Sequence, residues 1–184
     1  MSQVRLRYKC VTEIVGSRGL GILVLVNEDE TLQVSIPCDA YATYYFGLRK
    51  FSASDCTRLL PEILVRLLKS ETDMHFEIRI EDIRDGEYLS SIYNTKTQEI
   101  IPMQIVDAVL LSLVSGIPLS VEEELMQRQS AEYHRGSHGL KLPINALSLE
   151  MLEEAMRRAV SEENYELASM LKDEIFHRKN NMKE

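Results

Sequence analysis

From Val4 to Pro37 the apolar and polar positions follow the rhythm of β-strands. Val4, Leu6, Tyr8 and Cys10 are interleaved with Arg5, Arg7 and Lys9, the period of two expected of a strand with one buried face. Gly16-Ser17-Arg18-Gly19 predicts a turn, and Gly21–Val26 is apolar almost throughout, as in a strand covered on both faces. After the polar turn Asn27-Glu28-Asp29-Glu30, Thr31–Ile36 supplies a third strand. Beyond Pro37 the period becomes helical over Ala40–Leu48 and Pro61–Lys69. Ser52-Ala53-Ser54-Asp55 offers capping chemistry between them, and Pro61 suits a first helical position.

The same succession then returns. Met74–Ile83 and Tyr88–Tyr93 read as strands around the hairpin signal Arg84-Asp85-Gly86-Glu87, and Gln98–Ile101 is a third strand closed by Pro102. Met103–Ser115 and Val121–Gln129 are helical, the second introduced by Ser120. Ile36-Pro37 reappears as Ile101-Pro102, and Asp39-Ala40 as Asp107-Ala108, each pair at the same kind of strand-to-helix junction. The expected fold is therefore α+β, with duplicated β3α2 units forming one domain over residues 1–128. One three-stranded sheet with two helices is marginal alone, which favours a single doubled domain.

Residues 129–147 break the pattern with two glycines, a proline and scattered polar positions, and read as a linker. Residues 148–184 read as an antiparallel helical hairpin. Leu149, Leu152, Ala155, Met156, Ala159 and Val160 recur at the helical interval, as do Tyr165, Ala168, Leu171 and Ile175, around the polar link Ser161-Glu162-Glu163-Asn164. Ser148 is placed as an N-cap. Two helices of about three turns each bury little surface by themselves. A seam of this kind wants a partner, for which Leu152, Met156, Tyr165, Ala168, Leu171 and Ile175 are the candidate contacts.

Composition is that of a globular protein, with 45% apolar and 27% charged residues. No apolar run reaches the roughly 18 residues of a membrane span, so no membrane partner is expected. The N-terminal residues lack a signal-like apolar stretch, and a cytoplasmic location is the expectation. Cys10, Cys38 and Cys56 are an odd, widely spaced set without a CxxC pair, which predicts free thiols. The net charge of −8 divides as −6 over residues 1–128, +1 over 129–147 and −3 over 148–184. That balance opposes non-specific binding to nucleic acid. Arg5, Arg7 and Lys9 on one strand face are the best local patch for phosphates.

Two stretches carry family resemblances. Asn164-Tyr165-Glu166, Ala168-Ser169 and Leu171-Lys172-Asp173, following Leu149, Leu152, Ala155-Met156 and Ala159-Val160, resemble the UVR motif of the UvrB and UvrC excision-repair proteins and of some Clp ATPase partners. That resemblance implies a hairpin that pairs with another copy or with a helical protein partner. Upstream, Ile78–Tyr88 with its Arg84-Asp85-Gly86 hairpin, Asp107–Leu113, and Pro118-Leu119-Ser120-Val121-Glu122-Glu123 resemble the bifunctional nuclease domain family. This implies a doubled β3α2 fold and cleavage of DNA or RNA. The chain departs from the family where Gln104-Ile105-Val106 replaces the Arg-Pro-Ser ahead of Asp107-Ala108, removing the basic and hydroxyl groups beside that aspartate.

Hydrolysis of a phosphodiester with a metal's help needs carboxylates converging on Mg²⁺ or Mn²⁺ and a cation to steady developing charge. Asp39 and Asp107, at equivalent junctions of the two repeats, are the candidate catalytic and metal-holding pair, and Arg84 is the candidate cation. Both aspartates also suit plain helix N-termini, and Asp85 a plain turn. No organic cofactor is expected, since no glycine-rich phosphate loop or dinucleotide fingerprint occurs. Glu122-Glu123-Glu124 reads as a solvated first helical turn, and His134 with His138 as a weak metal pair. The function expected is a nuclease on DNA or RNA, homo-oligomeric, whose hairpin docks to a protein partner or to itself. The alternative is a non-catalytic adaptor recruited to a repair or Clp-type protein.

Overall fold

The computed structural model describes residues 2–13, 20–51, 54–71, 73–134 and 143–181. The expected turn at residues 16–19, Ser52-Ala53, His138 and the middle of the expected linker lie outside them. The chain divides into two compact units, Met1–Asp82 with Leu89–Lys141, and Ile83–Tyr88 with Leu142–Glu184.

Strands β1 (Gln3–Glu13), β2 (Gly21–Asn27) and β3 (Leu32–Cys38) form an antiparallel meander. All six residues of Gly21–Val26 are buried, so both faces of β2 are covered. Lys9 is the extra residue where the β1–β2 register shifts between Tyr8 and Cys10, a bulge that bends the strand. A Cβ on Gly21 would collide with the Thr43 hydroxyl and lie 3.1 Å from the Thr12 carbonyl oxygen, so a side chain here would displace its neighbours. Helix α1 (Ala40–Phe51) packs on β1 and β2, with the Tyr8 and Phe46 rings 4.9 Å apart. A 3-10 turn over Asp55–Arg58 leads to α2 (Leu60–Glu71), which rests on α3 (Ile105–Ser115). Pro61 lies in the first turn of α2, where its missing N–H leaves no bond unmade.

In the second half, β4 (Phe76–Arg84), β5 (Glu87–Asn94) and β6 (Ile100–Gln104) precede α3, repeating the strand-strand-strand-helix order. Pro102, expected to end the third strand, lies inside β6. It is tolerated there because β6 is the edge of the sheet, where a missing N–H breaks no second ladder.

Two short strands differ from the expectation. The helix expected over Val121–Gln129 is a strand, β7 (Leu119–Glu122), followed by α4 (Glu123–Gln129). Four residues are too few for periodicity to reveal, and pairing on both sides decides the conformation. β7 runs antiparallel to β1, with Val4 opposite Val121, and parallel to β4, with Ile80 opposite Val121. The expected linker likewise begins with a strand, β8 (Ser130–Glu132), whose Ala131 pairs with Gln33 of β3. One mixed sheet results, in the order β6-β5-β4-β7-β1-β2-β3-β8. Its α+β character agrees with the sequence reading. Cys10, Cys38 and Cys56 are free thiols.

The second unit is built on α5 (Leu149–Ser161) and α6 (Tyr165–Asn181), the expected hairpin. The Ser148 hydroxyl accepts from the Met151 N–H at 3.3 Å and Asn164 Oδ1 from the Leu167 N–H at 3.2 Å, so each helix has a side-chain N-cap. Leu152, Ala159, Ala168, Leu171 and Ile175 form the buried seam, with Ile144 and Leu147 against it. Arg178, only 2% exposed, gathers the preceding segment: its guanidinium donates to the carbonyls of Leu147, Asn145 and Ile144, while Nε donates to Glu174 at 2.8 Å. The turn Asp85-Gly86 has positive φ at both residues (52° and 88°), the hairpin geometry that the Asp-Gly pair predicts. A Cβ on Gly86 would lie 2.5 Å from the Leu147 carbonyl oxygen and 2.8 Å from Arg178 Nη1, so this turn also needs glycine for space.

Two measurements check these assignments. Leu119→Ala empties a fully buried position on the strand that joins the repeats and should cost about 3 kcal/mol in urea unfolding, whereas Leu113→Ala, at an exposed site, should cost under about 1 kcal/mol. Burial pushes the Tyr8 phenol up to about 12 from 10.0, with the charges of Cys10 and Cys38 adding to the rise. The folded chain thus keeps a proton that the unfolded chain releases. The share of stability that Tyr8 contributes should hold below pH 10 and fall as pH rises toward 12, and Tyr8→Phe should remove that part of the fall in melting curves.

Candidate active site and docking hairpin

β3 ends at Cys38, and Asp39 turns the chain into α1. Asp39 Oδ1 accepts the Ala42 N–H at 2.8 Å, and its carbonyl accepts from the Thr43 N–H and hydroxyl at 3.0 and 2.9 Å. One carboxylate oxygen is therefore engaged as an N-cap. At the equivalent junction of the second repeat, Asp107 sits in the first turn of α3. The Gln104 N-cap makes no side-chain bond there, so Asp107 answers the positive end of the helix through charge alone. Both aspartates are exposed.

They bear on one group. The Tyr41 phenol is held above its ordinary range by a hydrogen bond with Tyr45, with further contributions from desolvation, from Tyr45 and from the negative charges of Asp107 and Asp39. Tyr41 and Tyr44 are 65% and 62% exposed on α1, and Tyr45 lies beside both, with ring centroids at 4.4 and 6.1 Å. This tyrosine cluster, spaced i, i+3 and i+4, escaped the sequence reading although its helical spacing was visible. Arg49, 5.7 Å from the Tyr45 ring, is committed to Glu62 through an ion pair of 2.6 Å.

A concavity of about 600 Å³ opens between β1 and α3 beside Arg5, Arg7, Tyr8, Glu28, Val109 and Ser112. The basic stripe expected to meet phosphates is largely neutralised, because Glu30 accepts from both Arg7 and Lys9 at 2.8 Å. Arg5 alone of the three makes no ion pair among the described residues. Glu123 and Glu124 occupy the first turn of α4, as a solvated helix start would place them. His134 lies 3.4 Å from Glu132. Among the described residues no three His, Cys, Asp or Glu side chains gather to hold a metal ion. Asp39 and Asp107 offer two carboxylates, which suits Mg²⁺ only in its habit of keeping water and substrate oxygens as its remaining ligands. Arg84 belongs to the second unit, at the end of β4.

In the hairpin, Leu152, Ala168, Leu171 and Ile175 spend their apolar surface within the seam, and Met156 packs half-buried against it. Tyr165 is exposed, together with Val160, Met170 and Phe176. Periodicity marks which residues are apolar; it does not say which of them their own hairpin covers.

An α+β domain with an aspartate at each of two strand-to-helix junctions, followed by a capped helical hairpin, defines a two-part protein. The bifunctional nuclease domain matches residues 23–134 and the UvrB/uvrC motif residues 147–177. The first match covers more than half of the chain, and the chain belongs to the bifunctional nuclease domain family. No curated protein matches it. Among the described helices none is long and apolar enough to cross a membrane.

The unequal bonding of the two aspartates is measurable. Asp39→Ala removes an N-cap and should lower stability by about 1 kcal/mol, whereas Asp107→Ala, which breaks no cap bond, should stay within about 0.5 kcal/mol. Denaturant midpoints of the two variants give the comparison.

Proposed function

We propose that this protein is a nuclease acting on DNA or RNA, recruited through its C-terminal hairpin. The observation that carries the reading is the match to the bifunctional nuclease domain over residues 23–134. In this reading Asp39 and Asp107 would hold Mg²⁺ or Mn²⁺ through their free carboxylate oxygens. A divalent cation bound there supplies positive charge to a phosphoryl group. The Tyr41 hydroxyl, which the charges of both aspartates influence, is the group proposed to orient a substrate oxygen. Arg84 belongs to the second unit, and the reading of the aspartate pair is made without it. The hairpin docks to a helical protein partner or to a second copy through the exposed side chains Tyr165, Met170 and Phe176. The expected setting is cytoplasmic.

A second reading has its own support. Gln104-Ile105-Val106 supplies neither a cation nor a hydroxyl beside Asp107, and no third metal ligand gathers among the described residues. These observations favour a non-catalytic adaptor that keeps the fold and the hairpin.

Purified protein incubated with single- and double-stranded DNA and RNA separates the two. The nuclease reading expects cleavage with Mg²⁺ or Mn²⁺, abolished by chelator and reduced roughly 10- to 100-fold in Asp107→Ala. Cleavage indifferent to both chelator and mutation removes the metal pair, and a protein inert on every substrate is the adaptor.

A further inference from the structure

Helix α1 buries one side and leaves aromatic rings on another. Ala42 and Phe46 are buried, with Phe46 against Tyr8 of β1, whereas Tyr41 and Tyr44 are exposed and Tyr45 is half-buried beside them. The outer face of such a helix ordinarily carries charged and small polar side chains. Aromatic rings held in water there contribute little to the core. Tyr41 follows Asp39 by two residues, and the charges of both Asp39 and Asp107 act on it, which sets the ring beside the aspartate pair. We infer that Tyr41 and Tyr44 are a stacking platform for the unpaired bases of a single nucleic-acid strand, DNA or RNA. The inference rests on the nuclease reading above and supplies its substrate class.

The chemistry of the patch selects an unpaired strand. Every base has a flat π face that a tyrosine ring can cover, whatever the sequence. A duplex keeps those faces inside its stack and offers phosphates instead, and phosphates suit this region poorly. Residues 1–128 carry a net charge of −6, and Arg49, the cation beside Tyr45, is tied to Glu62 at 2.6 Å. Affinity must therefore come from stacking, which releases few counterions and changes little with salt. The platform is also braced. The Tyr45 ring lies 4.4 Å from Tyr41 and 6.1 Å from Tyr44, centroid to centroid, and Tyr41 shares a hydrogen bond with Tyr45. Rings held in place lose less freedom when a base settles on them. Stacking reads the base and not the 2′-hydroxyl, so DNA and RNA are taken alike.

Fluorescence anisotropy of short labelled strands with the full chain, in chelator so that nothing is cut, measures the platform alone. Single-stranded DNA and RNA should bind alike, and an abasic strand or a duplex of the same length about tenfold more weakly. Tyr41→Ser with Tyr44→Ser should weaken strand binding at least about tenfold, whereas Tyr41→Phe with Tyr44→Phe, which keeps both rings, should hold it within about twofold. Should the serine variant lose its fold, the abasic comparison decides alone. The platform is overturned if no strand binds, or if the abasic strand or the duplex binds as tightly as the base-bearing strand. Cleavage with Mg²⁺ that the serine substitutions leave unchanged also overturns it, while the nuclease reading stands. Strand binding that needs the rings, in a protein that cuts nothing with any metal, keeps the platform and removes the nuclease reading.

Discussion

Four residues join the two halves of the main sheet. Leu119–Glu122 pairs with β1 on one side and with β4 on the other, antiparallel to the first and parallel to the second. Without it, β1–β3 and β4–β6 would be separate three-stranded sheets, each too small to bury a core of its own. Leu119 and Val121 are buried beside Ile78 and Ile80, so the join is also the centre of the hydrophobic core. Ser120 shows how tightly that centre is set: its hydroxyl donates to Gln3 Oε1 at 2.9 Å and lies 3.4 Å from the Ile78 carbonyl. A buried polar group is tolerable at such a position only when it is bonded.

The second unit depends on a different kind of constraint. Its apolar seam is modest, and a buried guanidinium supplements it. Arg178 donates to three carbonyls ahead of α5, those of Ile144, Asn145 and Leu147, and so ties that segment to α6. Glu174, one turn away, balances its charge at 2.7 Å. The positive-φ glycine at Gly86 leaves the space that this arrangement occupies. The family motif matched over residues 147–177 stops one residue short of Arg178.

The candidate site was legible in part. Asp39 and Asp107 could be selected because a repeated junction put the same dipeptide at the start of two helices. Their unequal roles could not, since whether a carboxylate caps depends on the backbone dihedrals of the turn before it. Tyr41, Tyr44 and Tyr45 were visible as letters but not as a cluster facing solvent, because a sequence does not say which side of α1 meets the sheet. The Arg5–Arg7–Lys9 stripe looked like a phosphate patch until folding brought Glu30 from the β2–β3 turn beside it. Ion pairs between residues so distant in sequence are set by strand register alone.

Local chemistry was enough to specify much of this protein. The strands of the two meanders, the positions of α1, α2, α3, α5 and α6, the N-cap Ser148 and the Asp85-Gly86 turn all follow from periodicity, propensity and capping, whose range is a few residues. β7, β8 and the placement of Pro102 within an edge strand were decided only by tertiary structure. A strand of three or four residues has no periodicity to display and exists because a neighbour's hydrogen-bonding edge is waiting for it. The same limit governs the surface of α2. Its stripe of Leu60, Leu64, Leu67 and Leu68 announces burial, but only the folded chain shows that its own core leaves that stripe uncovered.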